Sequence, residues 1–166
     1  MINWINKSMQ AAAVKRWHVI PIVGEETVAH HTFGVAMMTL AITDGKASGD
    51  LLRAALFHDC AEGETGDLPA DIKRNHPHIK KVFAEVEEKW ERQNGFHLQL
   101  DETDQLALKH ADVLQLLYFC KAQLNLGNTN MEPVLERATK YAQELEPVGK
   151  SPEILDWLLN GQIARR

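Results

Sequence analysis

The 166-residue sequence predicts an all-α fold, a compact bundle of about six to eight helices. Apolar residues recur at spacings of three and four, as in Val28, Val35 and Met38 with His31 between them, which places one face of a helix inward. Strand-like alternation is nearly absent. Caps, prolines and glycines punctuate the helical stretches at short intervals, with no internal repeat, low-complexity tract or linker. The chain therefore reads as a single domain, residues 1–166, long enough to bury a real core.

Each element has its own signature. Residues 9–15 (MQAAAVK) favour helix and stop before the proline of HVIPIVGEE. A second helix begins at Thr27. Ser48 caps a third, carrying LLRAALFHDCAE, and Gly63 and Gly66 interrupt the chain just beyond it. Asp67 ahead of Pro69 marks a cap-and-proline start for a short helix reaching Lys73. Pro77 opens a charged helix running to Gly95, and Asp101 opens a long one that ends at Gly127. Residues 131–145 form a further helix, and Ser151-Pro152-Glu153 starts the last.

Composition excludes several classes. A net charge of −5 is unsuited to general binding of duplex nucleic acid, yet leaves room for a local cation cluster that takes a phosphate-bearing small molecule. No stretch is long and apolar enough to span a bilayer. MINWINKSMQ lacks the basic-then-apolar order of a signal peptide, and the two cysteines, Cys60 and Cys120, provide no disulfide framework. A cytoplasmic protein with no membrane partner is the expectation.

The chemistry concentrates in FHDCAEGETGDLPADIK, residues 57–73, where a His, Asp and Glu residues succeed an apolar helix with no cation before Lys73. His31 shares its stripe with Val28, Val35 and Met38, and Asp112 shares its own with Leu108, Leu116 and Phe119. A buried carboxylate is costly unless a cation or several donors satisfy it. His31, His58, Asp59 and Asp112, from three helices, make a coherent ligand set for one divalent cation with positions left open. Against this, a lone His on an apolar face is usually a satisfied core residue, and Asp112 has Lys109 one turn away as an ordinary ion-pair partner.

Three segments, KRWHVIPIVGEETVAHHTFGVAM, FHDCAEGETGDLP and LKHADVLQ, resemble the HD-domain metal-dependent phosphohydrolases. Within that family they look most like bacterial 5′-deoxynucleotidases and the small phage-encoded dATP triphosphohydrolases. The resemblance implies an HD-domain bundle around one metal centre, with ligands His31, His58, Asp59 and Asp112. It implies catalytic carboxylates at Glu62 and Asp67, and phosphate contacts from Arg16, Lys73 and Lys109. Trp17 beside that arginine, with Val19 and Ile20, would wall the sugar and base. Where the family often carries a carboxylate, this chain has His30, which competes with His31 as the first ligand.

The expected function is accordingly a metal-dependent deoxynucleotide phosphohydrolase. The first reading is a dATP triphosphohydrolase releasing deoxyadenosine and triphosphate, in a phage setting. The alternative is a 5′-deoxynucleotidase acting on monophosphates. The expected cofactor is one transition metal (zinc, cobalt, manganese, nickel or iron), with a further divalent ion accompanying a triphosphate. The resemblance also implies a homo-oligomer, for which the apolar run ILDWLLNGQI offers a surface. A non-catalytic nucleotide-sensing module with a structural metal would need neither Glu62 nor Asp67.

Overall fold

The computed structural model describes residues 3–161. Among the described residues there are nine α-helices, a 3-10 turn and no strand, as the all-α reading expects. In chain order they are α1 (Asn3–Ala12), α2 (Val28–Ile42), α3 (Gly49–Phe57), α4 (Glu62–Thr65), α5 (Ala70–Asn75), α6 (Pro77–Asn94), α7 (Glu102–Asn125), α8 (Glu132–Glu144) and α9 (Ser151–Asn160). Apart from α4, a single turn of four residues, the described helices number eight, within the expected range. No described helix is long and apolar enough to cross a membrane.

Helix α7 is the axis of the molecule. Its 24 residues span about 36 Å at 1.5 Å per residue. Asp101 starts it: the Asp101 carboxylate accepts from the Asp104 N–H at 2.8 Å. Helices α2 and α3 pack along one side, α8 and α9 along the other. Val35, Ile42, Leu51, Ala111, Leu114, Leu117 and Leu158 fill the space between them. Burying a side chain such as Leu114 contributes about 1.5–3 kcal/mol. That core fixes the register of α2 against α7, and so of His31 against Asp112. A smaller cluster of Ala11, Cys60, Ala61, Trp90 and Phe96 anchors α1 and the α3–α4 turn against α6.

Three local expectations change. The first helix begins earlier and ends at Ala12, because Lys15 leaves it to form an antiparallel bridge with Thr27. The helix expected to continue through HDCAE stops at Phe57; tight turns from Cys60 N–H to Phe57 C=O and from Glu62 N–H to Asp59 C=O reorient the chain before α4. Pro69, not Asp67, occupies the cap position of α5, which leaves the Asp67 carboxylate free of a capping role.

At the C-terminal end, Leu158 is fully buried and Ile154 and Leu155 pack on the core, while Trp157 stays 46% exposed. Part of the face that ILDWLLNGQI offered to a partner subunit is thus used within the chain. The last residues of that run lie outside the described residues.

Candidate active site

The structure brings His31, His58 and Asp112 together, with Asp59 beside them and bonded to Arg16. His31, 1% exposed, projects from α2. His58 closes the C-terminus of α3, Asp59 comes next in the turn, and Asp112 comes from α7. His31 Nε2 lies 3.2 Å from His58 Nε2, 3.2 Å from an Asp112 oxygen and 3.4 Å from an Asp59 oxygen. His58 Nε2 is 3.5 Å from the other Asp59 oxygen. His31, His58 and Asp112 each present one atom within 4.8 Å of the others, a group that can hold a metal ion. His30 does not compete: its ring reaches back to the Thr27 N–H and completes a capping box on α2.

The donor chemistry tests whether this group suits a cation. Gln115 donates its amide N–H to Glu26 Oε1 at 2.9 Å, and a carboxylate only accepts. The Gln115 carbonyl oxygen therefore faces His31 at 2.7 Å and must accept from Nδ1–H. Likewise the Ala55 carbonyl, 3.0 Å from His58 Nδ1, can only accept. In both neutral imidazoles the lone pair is on Nε2, and the two lone pairs face each other and two carboxylates. Such a cluster of acceptors fits a divalent cation and is otherwise poorly matched. Desolvation opposes ionisation of both carboxyls. The Nε2 proton that His31 carries when no cation is bound donates to Asp112, and with the positive charge of Arg16, and of His58 and His31 in that protonated form, it holds Asp112 and Asp59 below the usual carboxylate range.

Beside this group opens a cavity of about 260 Å³. One wall is the loop between α1 and α2, drawn shut by the Lys15–Thr27 bridge and by an Arg16 N–H to Glu26 C=O bond of 3.0 Å. Gln123 on α7 holds the far end of that loop by exchanging hydrogen bonds with both backbone groups of Val23. Arg16 Nη1 donates to Asp59 at 2.8 Å. Trp17 adopts φ +63°, a conformation that a bulky residue keeps only when its surroundings enforce it. Here the indole N–H donates to Glu26 and the ring stacks on Phe119, centroids 5.1 Å apart and planes 8° apart. Trp17 is half-buried and lines the cavity, so it serves packing and site together. Val19, 62% exposed, and Ile20 extend the wall.

Glu62, Asp67 and Lys73 also line the cavity. Although the helix breaks before it, Glu62 is buried and one of its oxygens has no hydrogen-bond partner. Desolvation, with the neighbouring Asp59 charge, pushes its pKa up to about 8, against the opposing pull of Arg16. Asp67 lies 3.7 Å from His18 Nδ1 across the cavity. Lys109 is placed differently from Lys73: it sits on α7, one turn before Asp112, and beyond the residues that line the cavity.

Sequence reading missed four contributors. Glu26 and Gln115 join the ligand His31 to Arg16 and Trp17, and Arg137 and His18 add cationic or titratable groups to the lining. Glu26 had no signal, since the pair Glu25-Glu26 reads as solvated. Gln115 had a faint one, as it lies nearly one helical turn beyond Asp112.

Comparison with known proteins places this geometry. The sequence profile of the YfbR-like 5′-deoxynucleotidases matches residues 4–97. The chain is 27% identical over 161 residues to a 5′-deoxynucleotidase of Photorhabdus laumondii, covering 80% of this chain and 82% of that protein. With a 5′-deoxynucleotidase of Yersinia pestis the identity is 29% over 164 residues, covering 85% and 81%. Among solved structures, the PH0347 protein of Pyrococcus horikoshii shares the fold at a TM-score of 0.72, with 24% identity and coverage of 98% and 100%. The HD phosphohydrolase DatZ of cyanophage S-2L, bound to dA and one catalytic Zn2+ ion, shares it at a TM-score of 0.65, with 18% identity and coverage of 93% and 91%. The match over more than half of the chain makes it a member of the YfbR-like 5′-deoxynucleotidase family, an HD-domain deoxynucleotide phosphohydrolase.

Proposed function

We propose that the protein hydrolyses deoxynucleoside 5′-monophosphates to the deoxynucleoside and phosphate. The observation that carries this reading is Glu62: a buried carboxyl with one unpartnered oxygen, lining the same cavity as Asp59, Asp112 and the cations Arg16 and Lys73. His31, His58, Asp59 and Asp112 would hold a divalent metal. That metal supplies Lewis-acid polarisation of a phosphoryl oxygen and a lowered pKa for water.

The chain's own residues account for the rest of the reaction. Arg16 and Lys73 take the phosphate oxygens, the first as a planar fork and the second as a point charge. Arg16 is held for this by Asp59 and Glu26, so little freedom is lost when phosphate arrives. Glu62, whose pKa lies near the working pH, exchanges a proton with the attacking water and the leaving 5′ oxygen. Asp67 orients that water from the opposite side. The flat Trp17 ring, fixed by Phe119 and Glu26, packs against the sugar and leaves a ribose 2′-hydroxyl without a partner, which favours deoxyribose.

Support for the monophosphate comes from the relatives named 5′-deoxynucleotidase and from Lys109 lying off the lining. The dATP triphosphohydrolase reading keeps one specific observation, the third cation Arg137 in the cavity wall, and a neighbour of the same fold that binds dA. A panel of deoxy- and ribonucleoside mono- and triphosphates, assayed with zinc, cobalt and manganese and with products resolved by chromatography, decides between them. Phosphate from dAMP supports the proposal. Intact triphosphate from dATP, with dAMP inert, would replace it with the second reading.

A further inference from the structure

Five side chains close a ring around one buried point. His31 meets Gln115 at 2.7 Å, and Gln115 meets Glu26 at 2.9 Å. Glu26 lies 3.5 Å from Arg16 Nε, Arg16 meets Asp59 at 2.8 Å, and Asp59 lies 3.4 Å from His31. Glu26 also accepts from the Trp17 indole. Two ring members, His31 and Asp59, belong to the candidate metal centre; Arg16, together with the attached Trp17, faces the cavity. Gln115 and Glu26 belong to neither, are 7% and 3% exposed, and connect the two.

The backbone is adapted to this bridge. Gly34 sits in the middle of α2, where glycine costs about 0.5–1 kcal/mol relative to alanine. A Cβ there would lie 2.7 Å from Gln115 Cγ. A helix interior without a side chain at that position gives Gln115 the room to reach His31.

We propose that Gln115 and Glu26 are a positioning bridge that fixes the His31 tautomer for metal binding and transmits the same alignment to Arg16 and Trp17. Gln115 touches neither metal nor nucleotide, yet both binding events depend on it. The geometry requires its carbonyl to face His31, because its amide faces a carboxylate that cannot donate. Groups that orient a metal-ligating imidazole are worth about 10–100-fold in metal affinity. Because Glu26 holds both Gln115 and the indole, losing Gln115 also frees one side of the Trp17 mount.

The inference rests on the metal-centre reading, and the experiment separates the two. Chelator-stripped protein is titrated with zinc in competition with an indicator, and with cobalt to record its absorption spectrum. Deoxyadenosine binding to the zinc-loaded protein is measured beside it. The variants are Gln115→Leu, which keeps the volume and removes both hydrogen bonds, and Gly34→Ala, which keeps Gln115 but crowds it. Zinc affinity falling about 10–100-fold in Gln115→Leu, a changed cobalt spectrum, and weaker deoxyadenosine binding support the bridge. Gly34→Ala should move every readout in the same direction by less, which covers the case in which Gln115→Leu fails to fold. Unchanged zinc affinity in folded Gln115→Leu overturns the bridge alone. Weakened zinc with unchanged deoxyadenosine binding overturns its reach to the substrate wall. A wild-type protein that binds neither zinc nor cobalt overturns the metal centre itself.

Discussion

Glu26 and Glu62 are buried to the same degree, 3% and 4% exposed, and both act on the Arg16 charge. Their surroundings differ in one respect. Glu26 has Trp17, Gln115 and Arg16 around its two oxygens, whereas one Glu62 oxygen has no partner. A carboxylate surrounded by donors is a fixed strut. One left bare in a desolvated pocket holds its proton to higher pH and can pass it on. Partner count, and not depth of burial, divides the structural acid from the chemical one.

The largest effect that could break this comparison is on stability. Glu26→Ala strips the acceptor from the Trp17 indole and the Gln115 amide and leaves Arg16 partly buried with Asp59 as its one close ion-pair partner, so it should cost about 3 kcal/mol in urea unfolding. Glu62→Gln should cost nothing at alkaline pH and stabilise the metal-stripped protein there. Between pH 4.5 and about 8 the folded chain keeps a Glu62 proton that the unfolded chain has lost, so stability falls as pH rises through that window. Replacing the carboxyl by an amide should remove most of that slope, about 3–5 kcal/mol across it, as a pH series of unfolding midpoints would register. A Glu62→Gln protein with the wild-type slope would place the titration elsewhere.

Much of the site was legible in the residue pattern. His31 and Asp112 stood out because each interrupts an apolar stripe at helical spacing. Val28, His31 and Val35 of α2 are buried as that reading requires, whereas the buried face of α7 runs through Ala107, Ala111, Leu114 and Leu117, and Asp112 lies beside it, 53% exposed and lining the cavity. Neither the break after Phe57 nor the burial of Glu26 could be read in this way. Ala61 and Glu62 suit a continuing helix, yet the chain turns there, with Cys60 N–H bonded to the Phe57 C=O and Glu62 N–H to the Asp59 C=O. Glu25 and Glu26 are identical by type. The Lys15–Thr27 bridge sends the first out to an ion pair with Lys15 and the second into the ring. Arg137, from α8, joins the cavity through packing that no local spacing encodes.

Smaller effects sharpen the picture at the phosphate end. Lys73→Ala should weaken dAMP hydrolysis about tenfold, chiefly in KM, since its charge faces the pocket. Lys109→Ala should change it by less than about twofold. A larger Lys109 effect, confined to dATP, would favour the triphosphate reading. Trp17→Ala should narrow the deoxy-over-ribo preference by roughly threefold to tenfold while leaving bound metal unchanged. An unaltered ratio with a lowered unfolding temperature would make the ring a packing element only.

The division between strut and proton carrier is decided most sharply by a paired measurement on Glu62→Gln, with metal content by elemental analysis and dAMP turnover on the same preparation. Full metal occupancy is expected, with turnover reduced about 10²–10⁴-fold, because the amide keeps the shape of the side chain and cannot exchange the proton. Lost metal would make Glu62 a ligand, and retained turnover would leave the bare carboxyl without a chemical role; either result contradicts the role assigned to Glu62.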